Sequence, residues 1–355
     1  MALAKTTYIL PLTTVYRQRL LPASGAVVVR QGQKVAPNDT IATANIAAEH
    51  VLLDVARALR IAPKKADQYI DRTAGEHVAE GDLIASGSGG LVRRSMRAPC
   101  DGRIVYIRNG QILLQRAESP FELKAGYAGV ISDVIPDRGA NVEMFGALIQ
   151  CVWGNGLVEF GAMQNTAEAP NTVLKLEHVD VSLRGGILVG GHLEDVETLN
   201  ALAEIPIRGL ILGSMLSSLL PVARKVPFPI VLTDGFGRLP MNKPAFRLLS
   251  TNSGREVSIN AELFDIMRGT RPELVIPLPI SGKPGSVPLP RDLAPNQRVR
   301  YVRAPYASRV GSILSLLPDL VTFPSGIRTQ AAEVRLDSGE QILAPLANLE
   351  VFEYK

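Results

Sequence analysis

Two stretches of this 355-residue chain share one pattern in register. Gly32-Gln33-Lys34-Val35-Ala36-Pro37-Asn38-Asp39-Thr40-Ile41-Ala42 and, 43 residues further on, Gly75-Glu76-His77-Val78-Ala79-Glu80-Gly81-Asp82-Leu83-Ile84-Ala85 both read Gly-x-x-Val-x-x-x-Asp-x-Ile-Ala. A looser third copy runs Gly139-x-x-Val142-x-x-x-Gly146-x-Leu148-Ile149. Short β-branched strands surround the copies, among them Gly25–Val29, Gly102–Ile107 and Gly129–Ile131. The glycines stand where a tight turn needs positive φ. Asp39 and Asp82 read as turn-formers that bond nearby backbone N–H groups, not as catalysts. The repeat constrains architecture strongly and chemistry little.

The pattern resembles the barrel-sandwich hybrid of the biotinyl/lipoyl-carrier family over roughly residues 22–115, and Ala98-Pro99-Cys100-Asp101-Gly102-Arg103-Ile104 looks like the start of one of its halves. The resemblance implies a carrier lysine at a hairpin tip after each Ile-Ala strand. None follows: Thr43-Ala44-Asn45-Ile46, Ser86-Gly87-Ser88-Gly89-Gly90-Leu91 and Gln150-Cys151-Val152-Trp153-Gly154 all lack it. The chain therefore reads as a non-carrier relative without cofactor, its hybrid serving as framework or adaptor. Val51, Leu52, Val55 and Leu59 fall at helical spacing, and a second helical stretch follows Pro63, so a helical insert over about 46–70 is expected. His50 and His77 have no second ligand at metal spacing, and no metal site is assigned. Arg93, Arg94 and Arg97 follow a glycine-rich loop and form the densest basic cluster, a candidate contact for an acidic partner.

From residue 166 the period changes. The apolar strands Ile187–Val189, Leu210–Leu212, Ile230–Leu232 and Val257–Ile259 alternate with helical stretches over Asp195–Ala203, Met215–Ala223 and Phe246–Leu249. This predicts a small parallel, Rossmann-like sheet covered on both faces. Ligands of such sheets sit beyond the carboxyl strand ends. Gly190, Gly191, His192, Gly213, Ser214, Asp234, Gly235 and Gly237 are there, forming a candidate anion or ligand site. His192 and Asp234 are the pair able to do acid–base work. No dinucleotide, P-loop or nucleophile-elbow motif accompanies them, so no catalytic residue is assigned.

Seven prolines between Pro272 and Pro295 suggest an extended connector. After it, Gly311–Leu317, Ala332–Leu336, Ile342–Pro345 and Leu349–Phe352 read as strands, with a turn at Asp337-Ser338-Gly339-Glu340. Residues of about 308–352 resemble a KOW-type, SH3-like small barrel, which implies an RNA, ribosomal, transcription or protein partner. The expected fold class is multidomain α+β. A barrel-sandwich hybrid spans 1–117, with a helical insert at about 46–70, and a further β-hairpin repeat spans 118–165. A small α/β domain follows at 166–262, a proline-rich linker at 263–300 and an SH3-like barrel at 301–355.

The net charge of +4 is uneven, since residues 1–117 carry +7 and residues 118–165 carry −4. A nucleic-acid partner would meet the front, whereas the tail, at −1 and poor in aromatics, weakens that reading. An apolar fraction of 46% with 20% charged residues places the chain among globular proteins, not disordered ones. Cys100 and Cys151 stand in no metal spacing and fit a reducing cytoplasm. No secretory leader is read in Met1–Thr7, and the longest apolar-leaning run, Gly209 to Ala223, is too short and too broken for a membrane span. The function expected first is a non-enzymatic scaffold or assembly protein that forms homo-oligomers. A nucleic-acid-associated factor and a nucleotide- or anion-binding enzyme are the alternatives.

Overall fold

Thr6–Leu20 is the strand on which the molecule is framed. Its first half, Thr6–Leu10, is buried on both faces, because both edges are occupied: Leu349–Tyr354 pairs with it in parallel and Gly139–Gln150 antiparallel. Its second half turns amphipathic, with Val15 buried and Tyr16, Gln18 and Leu20 exposed. The computed structural model describes residues 5–45, 50–89, 92–116, 121–265, 270–279, 284–289 and 291–354. With 47% strand and 14% helix the chain is a β-rich α+β protein. Among the described residues no sheet closes on itself, and no helix is long and apolar enough to cross a membrane.

A single 17-stranded sheet runs from the front through the α/β segment to the tail. Glu273–Pro277 is its hinge in sequence and its bridge in space. It pairs antiparallel with Gly139–Gln150 on one side and with Glu256–Asn260 on the other. This corrects the expectation of a linker over 263–300. Pro272 and Pro277 flank a strand whose Glu273, Leu274, Val275 and Ile276 are buried, and proline is tolerated at strand ends. Val158–Asn165 also belongs elsewhere than its sequence neighbours suggest. It pairs with Ile187–Leu193 in parallel and with Glu256–Asn260 antiparallel, and so is a strand of the α/β segment.

The repeat is explained residue by residue. Gly32 and Gly75 have φ of 79° and 94°, in the region other residues avoid. Asp39 accepts from the Ala36 N–H at 2.8 Å, and Asp82 from the Ala79 N–H at 3.1 Å. Val35, Ile41 and Ala42 are buried in one apolar core with Tyr127, Ile131 and Val142. Val78, Ile84 and Ala85 are buried in another, with Ile104, Ile112 and Leu114. The two copies thus serve two cores instead of two halves of one hybrid. Residues 50–116 form a unit of their own, with the sheets His50–Asp54/Gln111–Arg116/Gly102–Arg108/His77–Val78 and Leu83–Gly89/Val92–Arg97. The predicted helical stripe is half strand: His50–Asp54 pairs with Gln111–Gln115, and the helical part is Val55–Leu59 and Pro63–Ala66, followed by a 3-10 turn at Asp67–Tyr69. The third copy makes no turn, because Gly139–Gln150 is one continuous strand.

In the tail, strands form where the alternation places them, at Arg298–Tyr301, Val310–Leu316, Ala331–Leu336, Gln341–Pro345 and Leu349–Tyr354. They wrap a core of Val299, Ile313, Val334 and Leu349; Gln341–Pro345 pairs with Ala331–Leu336 and Leu349–Tyr354 with Arg298–Tyr301, and among the described residues no register joins the two. The expected barrel is therefore open. Its last strand spends its second edge on Thr6–Ile9. Cys100 and Cys151 are both free, one in the core of the inserted unit and one in the main core.

Candidate functional site

The strands Ile187–Leu193, Gly209–Met215 and Ile230–Phe236 run parallel, and their register sets His192 beside Ser214 and Ser214 beside Gly235. The sequence-predicted residues therefore do converge at the carboxyl ends of a parallel sheet. What covers them is the chain itself. A Cβ on Gly191 would lie 2.5 Å from the Thr172 carbonyl, and one on Gly213 would lie 2.7 Å from the Met241 backbone. These glycines are required by close backbone approach, which leaves no room there for a ligand. Gly190 is likewise packed, against Leu212, while Gly235 and Gly237 adopt positive φ in the turn that leaves the sheet.

Glu194, His192 and Ser214 fall in the order of a hydrolytic triad. His192 Nδ1 is 2.8 Å from Ser214 Oγ, and Nε2 is 3.3 Å from Glu194, which Arg238 holds at 2.9 Å. Ser214, however, is fully buried. Its hydroxyl donates to the Leu239 carbonyl at 2.5 Å and accepts from the Leu239 N–H at 3.1 Å. With its proton so directed, Ser214 accepts from a His192 protonated on Nδ1, and no oxygen is free to attack a substrate. Burial lowers the His192 pKa, outweighing the opposing pull of Glu194. The cluster pins the 238–241 loop over the sheet.

Asp234 is also saturated. Its Oδ1 takes Arg300 Nη1 at 3.0 Å. Its Oδ2 accepts from Thr233 Oγ1 at 2.7 Å, the Asn242 N–H at 2.8 Å and Asn242 Nδ2 at 3.0 Å. Arg300, itself buried, donates to Glu350 through Nε at 2.5 Å, with Nη2 against the same oxygen. Thr7 Oγ1 at 3.3 Å and Lys5 at 3.4 Å complete the Glu350 carboxylate. Burial raises the Glu350 pKa, but attraction to Arg300, and then to Lys5 and Arg271, wins and holds it below the ordinary carboxylate range. The guanidinium thus ties the tail to the end of Ile230–Phe236, and Glu350 carries the link on to Thr7 of the framing strand.

A second buried carboxylate, Glu273, accepts from Arg17 Nε at 2.7 Å and Tyr127 Oη at 2.5 Å, while Asn260 Nδ2 donates to the same phenol at 2.7 Å. Burial, then the Glu273 charge, keeps the Tyr127 phenol protonated. Sequence reasoning passed over Arg300, Glu350, Arg17 and Glu273. A signal existed for Glu350 alone, which shares a strand face with the apolar Phe352 in Leu349-Glu350-Val351-Phe352.

Of the basic cluster, Arg94 Nη1 reaches the Leu59 carbonyl at 3.5 Å and Arg97 Nη1 the Gly81 carbonyl at 2.7 Å. Both lie in the strand Val92–Arg97, not in a loop, while the Arg93 side chain lies outside the described residues. Among the described residues no group of three or more His, Cys, Asp or Glu side chains is placed to hold a metal ion. A cleft of about 450 Å³ lies between Asp234–Pro244 and the tail, lined on the tail side by Arg298, Ala307–Val310, Asp337, Phe352 and Tyr354.

No family model and no curated protein matches the chain. Among solved structures, the S-adenosylmethionine:2-dimethylmenaquinone methyltransferase from Geobacillus kaustophilus HTA426 aligns with 37% of this chain and 88% of its own, at 13% identity and a TM-score of 0.26. A score that low supports neither a fold assignment nor an activity.

Proposed function

We propose that this protein is a non-enzymatic scaffold or assembly protein that self-associates through its β-rich modules. The observation that carries the reading is Asp234. The best acid–base candidate in the chain is spent on Arg300, Thr233 and Asn242, and Arg300 locks the tail to the rest of the sheet. Polar residues that an enzyme would present to a substrate are here joints of a rigid frame. On this reading the lysine-free, carrier-like turns serve a frame instead of a cofactor site, and the tail is a KOW- or SH3-like module used for protein contact. The inserted unit adds a surface for association. Leu52 and Tyr106, 61% and 51% exposed, flank Leu113 in a cross-strand row on its open face. Contiguous exposed apolar side chains of that kind are a feature of contact surfaces.

Sedimentation velocity over a hundredfold concentration range tests the proposal. The expected result is a discrete oligomer that Leu52→Glu with Tyr106→Glu shifts toward monomer. A wild-type chain that stays monomeric throughout would remove the proposal's basis.

A further inference from the structure

The cleft between Asp234–Pro244 and the tail is built like a ligand site. Its volume of about 450 Å³ falls within the roughly 300–1,000 Å³ typical of small-molecule pockets, which favour boundaries between structural units. Its lining is largely apolar, with Leu239, Met241, Val310 and Phe352 contributing, and Tyr354 adds a partly exposed ring. Its walls are fixed in advance. Asp234 and Arg300 bond across the two units, and Tyr354 is held by Arg298, whose Nη2 donates to the phenol at 3.3 Å and whose guanidinium lies 5.9 Å from the ring centre. A preformed cavity spares a ligand the ordering cost of assembling it.

Charge defines what enters. Arg298 forms a two-pronged pair with Asp337, Arg309 pairs with Glu340 at 3.0 Å, and Asp234 is neutralised by Arg300. Lys243 is the lining charge left without an opposite partner among the described residues. The start of the helix Lys243–Thr251 adds little. The Asn242 N–H goes to Asp234, the Ala245 N–H to the Asn242 side chain, and Pro244 has none. An anion here is held by a side chain over an apolar floor. We propose that the cleft binds a small organic anion with a flat apolar body, such as an aromatic carboxylate, sulfonate or phosphate. This site is independent of self-association, which the sedimentation experiment reads separately.

The test is a fluorescence titration of the full chain with 8-anilinonaphthalene-1-sulfonate, an aromatic sulfonate, with fold checked by circular dichroism. Saturable binding to one site per chain is expected. Lys243→Glu should weaken it by about fivefold, a scale suited to one exposed charge pair. Leu239→Trp, which fills the cleft from a half-buried position without adding charge, should abolish it. The uncharged N-phenyl-1-naphthylamine should bind at least about fivefold more weakly than the sulfonate. Val181→Glu, at an exposed position outside both the cleft lining and the apolar row of the inserted unit, should change nothing. The proposal falls if no saturable binding is seen, if Lys243→Glu leaves affinity unchanged, or if Val181→Glu abolishes the signal.

Discussion

At the scale of single residues, the chain's polar investment goes into joints. Arg300 is the most consequential, because its removal strands two buried carboxylates at once, Asp234 and Glu350. Breaking a buried ion pair from one side costs about 3–5 kcal/mol, far more than an exposed pair. Arg300→Met is therefore expected to lower unfolding free energy by about that amount in urea titrations. Arg298→Met, whose partner Asp337 is 59% exposed, should cost less than about 1 kcal/mol. Equal losses from the two would show that the Arg300 knot carries no special weight. The pH dependence has a definite sign. The folded-state pKa of Glu350 is depressed, so its contribution is fully present above the unfolded value of 4.5 and is lost as pH falls through the folded value. The stability gap between wild type and Glu350→Gln should be flat from pH 7 down to about 5 and close only below that. A gap that narrows already between pH 7 and 6 would assign the stabilisation to another group. None of this partnership is legible in sequence. Arg300 stands 66 residues from Asp234, and nothing in either neighbourhood points to the other. The periodicity that places Arg300 in a strand also makes it look like one more solvated charge.

At the scale of elements, the repeat was readable down to its atoms while its assembly was not. Glycine and aspartate at fixed spacing announce a turn because their local chemistry is self-contained: positive φ for one, a backbone N–H three residues back for the other. Which strands those turns then join depends on contacts far along the chain. Lys34–Val35 finds Gly129–Val130, whereas His77–Val78 finds Gly102–Arg103. Glu273–Pro277 was hidden for a related reason, since the prolines at its ends dominate a local reading and its apolar run of Leu274-Val275-Ile276 is short. The two-core arrangement has a consequence that one shared hybrid would not. Asp39→Ala and Asp82→Ala should each cost about 0.5–1.5 kcal/mol, the worth of one partly exposed hydrogen bond. Hydrogen exchange should localise the losses differently. Asp82→Ala should speed exchange in Gly102–Arg116 and leave Gly129–Gln150 unchanged, and Asp39→Ala should do the reverse. Loosening of both regions by either substitution would mean that the cores are coupled.

At the scale of the whole molecule, the sheets divide the chain unequally. Front, α/β segment and tail share one continuous ladder, so they should lose structure together. Residues 50–116 share no strand with that ladder. They leave and rejoin the front at Thr40–Ala44 and Phe121–Lys124, which are antiparallel neighbours with Ala44 directly opposite Phe121. Two strands in that register need only a two-residue turn of the Asn-Gly kind to become a hairpin. Replacing residues 45–120 by Asn-Gly should therefore yield a chain that keeps the 17-stranded sheet and the Arg300 joint. The inserted unit has an apolar core of its own, built on Val55, Ile84, Ile104 and Leu114. Calorimetry of the full chain should accordingly show two transitions, and the shortened chain should retain only the one that belongs to the large sheet. If the inserted unit supplies the association surface, the same deletion should also abolish oligomers while leaving the fold intact. A shortened chain that fails to fold would show that residues 50–116 stabilise the frame through contacts other than strand pairing. A shortened chain that folds and still assembles would move the association surface onto the large sheet.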